Sequence, residues 1–177
     1  MLINCAAYRD GLKVADLTTK EIKDYLDMID TFVWVALKDP ELTELEKMGI
    51  EFGLHPLSIE DAGHGHQSPK IEEYGESLFV VMHTVELAAD GDLLIGELNV
   101  FVGKNYVISC RSKSEQGFTS VRERCEREPD LLRNGSAFVF YALMDTVVDR
   151  YIPVVAALEH ELEQIEEKIF SKSSSAR

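Results

Sequence analysis

Leu78-Phe79-Val80-Val81-Met82 sets five apolar side chains at consecutive positions. Successive side chains of a strand point to opposite faces, so a strand of this composition is dry on both sides and needs one helical layer above it and another below. The apolar run extends over residues 78–85, Asp90-Gly91 marks a turn, 93–102 reads as a second strand, and Gly103-Lys104-Asn105 leads into a third at 106–110. An antiparallel meander is expected. The fold class that follows is α/β: an α/β/α sandwich with a mixed sheet between helical layers.

Working outward toward the N-terminus, residues 2–8 are β-compatible, and Thr18-Thr19-Lys20-Glu21 has the spacing of a capping box. Ile22, Leu26 and Ile29 then predict one apolar helix face. Residues 32–37 read as a buried strand. Asp39-Pro40 predicts a helix start with Asp39 as N-cap and Leu42, Leu45 and Phe52 facing inward, and Pro56 predicts a short helix ending at Gly63. On the C-terminal side, Ser114 is expected to cap a charged helix reaching about Glu128, with Pro129 and Gly135 breaking the chain after it. From Ser136 to about Phe170 the pattern is one long helical arm, interrupted only by Pro153, where the ring removes a hydrogen bond and a kink is expected. Val148, Ile152, Val155, Leu158, Leu162, Ile165 and Ile169 recur at spacings of 3 and 4, a coiled-coil-like seam. Residues 171–177 resemble a linker cut within a longer protein, which leaves residues 1–170 as one domain.

The 177 residues carry 32 Asp plus Glu against 18 Lys plus Arg, a net charge of −14. Affinity for nucleic acid comes mainly from neutralising phosphates, so this surplus argues against a nucleic-acid partner and for cations. Cys5, Cys110 and Cys125 are odd in number and far apart, which points to free thiols in a reducing compartment rather than a disulfide framework. No stretch supplies the roughly 18–20 apolar residues of a membrane helix.

Two groups of acids stand out. Glu60 and Asp61 are adjacent near the C-terminal end of the short helix, where the helix dipole disfavours negative charge by roughly 0.3–1 kcal/mol per acid. They read either as a solvated helix end or as part of a cation site. Asp145 and Asp149 are i, i+4 on one face of the long helix among apolar residues, and require either a cation or an arginine or helix N-terminus from elsewhere, since Arg150 lies about 100° around the helix from Asp149. His64-Gly65-His66 lacks the thiolates and ligand count of a zinc site and reads as a turn. No phosphate-binding glycine loop, nucleophile elbow or H-E-x-x-H is present, so no enzyme activity is expected.

In order and spacing, Leu54-His55-Pro56-Leu57-Ser58-Ile59-Glu60-Asp61, then His66-Gln67-Ser68-Pro69-Lys70-Ile71-Glu72, then Tyr141-Ala142-Leu143-Met144-Asp145-Thr146-Val147-Val148-Asp149 resemble the CorA family of divalent-cation channels. Trp34-Val35, Val121-Arg122-Glu123-Arg124 and the Glu-rich final helix match as well. The resemblance covers nearly the whole chain and corresponds to that family's cytoplasmic domain, without the transmembrane helices and their Gly-Met-Asn signature. It implies a metal-sensing domain of a magnesium or cobalt transport channel on the cytoplasmic face of the inner membrane. It also implies identical subunits around a five-fold axis, weakly associated or monomeric without the membrane helices, with regulatory Mg between them favouring the closed pore. Asp61 then matches the main interfacial metal carboxylate, and Glu60 and Asp145 a second cluster with Asp149 beside it. Ser68 departs from the Arg often found between Gln and Pro. The ZntB-type zinc transporters share the fold and much of the pattern. A more distant alternative is a stand-alone acidic metal-dependent hydrolase using Asp61, His64 and His66.

Overall fold

The computed structural model describes residues 1–174. Seven strands form one mixed sheet: β1 (Leu2–Arg9), β2 (Leu12–Asp16), β3 (Thr31–Lys38), β4 (Lys70–Tyr74), β5 (Ser77–Leu87), β6 (Leu93–Gly103) and β7 (Tyr106–Ser112). Their spatial order is β2-β1-β3-β7-β6-β5-β4. The β5–β6–β7 meander is antiparallel, as expected, and the sole parallel ladder among these strands joins β3 to β7, from Val33 opposite Tyr106 to Lys38 opposite Arg111. A parallel neighbour cannot be reached by a tight turn, and the chain between β3 and β7 makes the crossover through two helices and the meander itself.

Both faces of the sheet are covered. Phe79 and Val81 point to one side, with Val33, Val35 and Ile108, against α1 (Ile22–Leu26), α2 (Leu42–Phe52) and α3 (Pro56–His64). Val80 points to the other, with Trp34, Leu98 and Val107, against α4 (Thr119–Arg127), α5 (Pro129–Leu132) and α6 (Ser136–Ser174). The α/β/α sandwich is therefore observed, and the five-residue run at 78–82 is split between two cores.

Several local expectations are corrected. Asp39 does not cap α2: it lies at φ 42° and its Oδ1 accepts the Lys113 N–H at 3.0 Å, while the helix begins after Glu41, whose N–H donates to Glu44 Oε2 at 3.0 Å. Ser114 does not cap α4 either, because its hydroxyl donates to Glu86 Oε1 at 2.5 Å and the helix starts five residues later. Helix α1 ends at Leu26, which leaves Ile29 exposed, and Leu42 is half exposed. Strands β2 and β4 were not expected. The first forms a hairpin through Asp10-Gly11, both at positive φ, the geometry that matches strand twist in a two-residue turn. Gly11 is also required by crowding, since a Cβ there would fall 2.0 Å from the Pro129 carbonyl oxygen. Helix α6 starts at Ser136, runs through Pro153 and continues to Ser174, into the stretch that resembles a linker; residues 175–177 of that stretch lie outside the described residues.

Glu86 anchors the loop between β7 and α4. It is buried, which opposes its charge, yet hydrogen bonds from the Ser114 hydroxyl and the Gln116 and Glu115 N–H groups, with Arg150 nearby, outweigh that and hold its pKa below the usual 4.5. A depressed carboxylate pKa contributes stability above the unfolded value, and that contribution is lost as pH falls through the folded one. The advantage of the native chain over Glu86→Gln in urea midpoint is thus expected to be full at pH 6–7 (well above the ordinary carboxylate range) and to shrink steadily below pH 4.5.

The three cysteines are free and buried, and burial pushes their thiols up, Cys5 and Cys125 to about 11 and Cys110 to about 12. The reactive thiolate is scarce at pH 8 under those conditions. Folded protein should react slowly with a thiol reagent at that pH, and protein unfolded without reductant should titrate three thiols at once.

Candidate functional site

Helix α3 is built to present Glu60 and Asp61. Pro56 occupies its first turn, where no N–H is missed, and the His55 ring accepts the Leu57 N–H at 3.3 Å. Ile59 and Ala62 are buried against the sheet, which turns the acids between them outward: Glu60 is exposed and Asp61 partly so. Asp61 meets β4, where Lys70 Nζ lies 2.6 Å from Asp61 Oδ2 and 3.0 Å from Glu72 Oε1. The two carboxylates raise the Lys70 pKa, chiefly through the hydrogen bond to Asp61. A cation thus already sits between Asp61 and Glu72, held by the β4 register that the sequence pattern missed.

Asp145 projects from α6 toward α4, and Arg124 Nη1 is 2.7 Å from its Oδ2. That hydrogen bond raises the Arg124 pKa further. The requirement for a partner at Asp145 is therefore met by an arginine from another helix, one of the possibilities open in the sequence. Asp149, one turn on, is exposed. Arg150 turns away from both acids and donates to the Gln116 and Gly117 carbonyls while its guanidinium stacks 4.3 Å from the Phe118 ring.

The structure pairs Glu60 with Asp61 and Asp145 with Asp149, but it does not bring the two pairs together. Helix α3 belongs to the core on one face of the sheet and α6 to the core on the other. With the sheet between them, Glu60 and Asp145 of one chain cannot share an ion. Among the described residues, no three His, Cys, Asp or Glu side chains converge as a metal site. The hydrolase set is likewise not assembled: His64 Nδ1 lies 2.9 Å from the Glu60 carbonyl oxygen and His66 packs against Lys113 Nζ.

The long arm adds the second feature. Its seam residues Val148, Ile152, Val155, Leu158, Leu162, Ile165 and Ile169 are between 45% and 63% exposed. Among the described residues they belong to neither core. No helix among the described residues is long and apolar enough to cross a membrane.

The site is thus a three-layer domain with outward acids on both helical layers and a long helical arm that carries an exposed apolar stripe. The chain belongs to the CorA-like Mg2+ transporter family, a transporter and not an enzyme family, whose model matches residues 30–176. YfjQ of Bacillus subtilis is 35% identical over 134 residues, 76% of this chain and 41% of its own. The cobalt/magnesium transport protein CorA of Thermotoga maritima is 26% identical over 162 residues, 89% of this chain and 46% of its own. The chain thus spans less than half the length of these two curated relatives. The soluble domain of CorA from Methanocaldococcus jannaschii superposes with a TM-score of 0.65 at 17% identity, covering 96% of this chain and 66% of that one, so the fold is shared.

Because Arg124 and Asp145 are each about one-third exposed, their ion pair is screened and is expected to contribute only ~0.2–1 kcal/mol. A double-mutant cycle with Arg124→Gln and Asp145→Asn, read by urea unfolding, should return a coupling within that range. A coupling several times larger would mean that the pair is drier than its exposure indicates.

Proposed function

We propose that the chain is the cytoplasmic metal-sensing domain of a divalent metal-ion transport channel for magnesium or cobalt, gated by Mg2+ at contacts between identical subunits of a homopentamer. One observation carries this reading: the two acid pairs sit on opposite layers, each next to a single cationic side chain, so a carboxylate cation site is completed only by a second chain. The bare seam of α6 supports the same conclusion, since an apolar stripe at coiled-coil spacing needs a neighbouring helix. In this reading the domain belongs to a membrane channel and lies at the cytoplasmic face of the membrane.

The donor set suits a hard cation. Asp61, Glu60, Asp145 and Asp149 offer carboxylate oxygens alone, and one or two such oxygens suffice for Mg2+, which keeps much of its water. Lys70 between Asp61 and Glu72 supports the fit, because the acids there already hold a positive charge, and a lysine on its flexible stem can yield that position. Bound Mg2+ supplies neutralisation of facing carboxylates. Asp61 and Asp145, when brought opposite acids of an adjacent subunit without that neutralisation, repel and favour separation of the subunits. The bias between packed and splayed arrangements equals the difference in ion affinity between them.

The test is thermal unfolding of the chain with and without millimolar MgCl2, CoCl2 or ZnCl2. At tenfold excess over the dissociation constant a bound ion stabilises by about 1.4 kcal/mol, so a rise of a few degrees is expected with magnesium or cobalt. Asp61→Asn combined with Asp145→Asn should remove most of that rise, whereas neutralising Glu159, Glu163 and Glu167 on the exposed arm should leave it. The opposite pattern would exclude the four acids as the sensor. In a full-length channel carrying this domain, the same double change should keep ion flux open at magnesium levels that close the parent.

A further inference from the structure

Helix α3 begins at His55, whose ring makes a bond open only to its neutral form. A backbone N–H donates and cannot accept, so the Leu57 N–H, 3.3 Å from His55 Nδ1, requires a lone pair on that nitrogen and places the ring proton on Nε2. Among the described residues the other histidines make no such bond to a backbone donor. His64 Nδ1 and His83 Nε2 lie 2.9 and 2.8 Å from the carbonyl oxygens of Glu60 and Gln67, contacts to which a charged ring donates equally well. His66 meets the Lys113 amine, and His160 meets Glu163 and Gln164.

The ring is held in place for this bond. It stacks on Tyr74 at the end of β4, with centroids 4.3 Å and planes 14° apart, and both rings line a cavity of about 470 Å³. Tyr74 in turn donates to Glu72 Oε2 at 3.0 Å; burial and that bond raise its pKa, so the phenol stays neutral wherever imidazole titrates. Glu72 is itself paired with Lys70. The other titratable groups lining the cavity are Glu73 and Tyr106, whose hydroxyl donates to Ser77 Oγ at 3.0 Å, while the end of α2 brings only Gly53 and Leu54.

Charge on the His55 ring changes the balance at one turn. With Nδ1 protonated, two donors face each other and a positive charge lies at the positive end of the helix dipole. Glu73 offers that charge a counter-ion, which favours protonation but returns no acceptor to Leu57. Loss of a side-chain N-cap lowers the population of the closed turn by about fivefold. The Ser58 hydroxyl and N–H, which donate to the His55 carbonyl at 2.7 and 3.1 Å, do not titrate, so the opening is confined to the first turn. We propose that His55 is a proton-operated cap: neutral, it closes the first turn of α3; charged, it lets that turn open. The device sits on the helix that carries Glu60 and Asp61 and does not depend on those acids being metal ligands.

The experiment follows the Leu57 amide of the full 177-residue chain by solvent-exchange NMR, as protection relative to its intrinsic rate. It is read at about pH 7.5 and about pH 5.5, on either side of the ordinary imidazole value, with the His55 ring nitrogen shifts recorded alongside to show that the ring charges over this interval. Leu57 protection should fall by about fivefold on acidification. Ile108, buried in the sheet, should keep its protection, which separates a local opening from global unfolding. His55→Asn supplies an oxygen that accepts at both pH values, so its Leu57 protection should be the same at each, and His55→Ala should be poorly protected at both. Equal Leu57 protection at the two pH values in the native chain, or a His55 ring still uncharged at the lower one, would overturn the proposal. So would an equal fall in His55→Asn, by placing the titrating group elsewhere.

Discussion

A strand that is apolar on both faces has to be covered twice, and the rest of this molecule is arranged around that necessity. Phe79 and Val81 need one helical layer and Val80 needs another, so the sheet cannot sit at the surface. The order of the elements follows from the same demand. Helices α1 to α3 come before the meander and fill one side; α4 to α6 come after it and fill the other. The sheet then acts as a partition. Any side chain on α3 is separated from any on α6 by backbone and two half-cores, roughly two layer spacings of 10 Å each.

That partition gives the acids their meaning. Asp61 and Asp145 look alike in sequence, yet each faces a different side of the domain and each is met by its own cation, Lys70 or Arg124. Neither pair is closed off from water. An exposed ion pair of this kind contributes little to stability, so exchanging the internal cation for an external one costs the fold little. A deeply buried pair could not make that exchange, since removing one partner would strand a charge out of water.

Much of the fold was legible because it rests on periodicity. The doubly apolar run, the seam of α6 and the start of that helix at Ser136 all follow from spacing alone. The two capping failures share a cause, which is competition for polar side chains by groups distant in sequence. Asp39 and Ser114 are good caps locally, but Asp39 is taken by the Lys113 N–H and Ser114 by Glu86, 28 residues away. Strands β2 and β4 are short edge strands of mixed polarity whose apolar residues Leu12, Val14 and Ile71 are exposed, so they lack the apolar signal that marks β5 to β7. The candidate acids were legible by motif, whereas their partners Lys70 and Arg124 were not, because salt bridges between elements leave no period in the sequence. Arg122 against Trp34 was invisible for the same reason.

Helix α4 shows what these long-range contacts decide. Of its nine residues only Val121 and Cys125 are buried, a small apolar face. Two arginines supply the rest, on two sides. Arg122 stacks on Trp34 and bonds Tyr8, whose hydroxyl in turn donates to Glu126 of the same helix, and so ties α4 to the sheet. Arg124 reaches Asp145 and ties it to the arm. A helix held partly by charge responds to charge only as far as its one-third-exposed ion pair contributes, ~0.2–1 kcal/mol. If a cation takes Asp145, Arg124 loses its partner, and α4 is left with the sheet contact centred on Arg122.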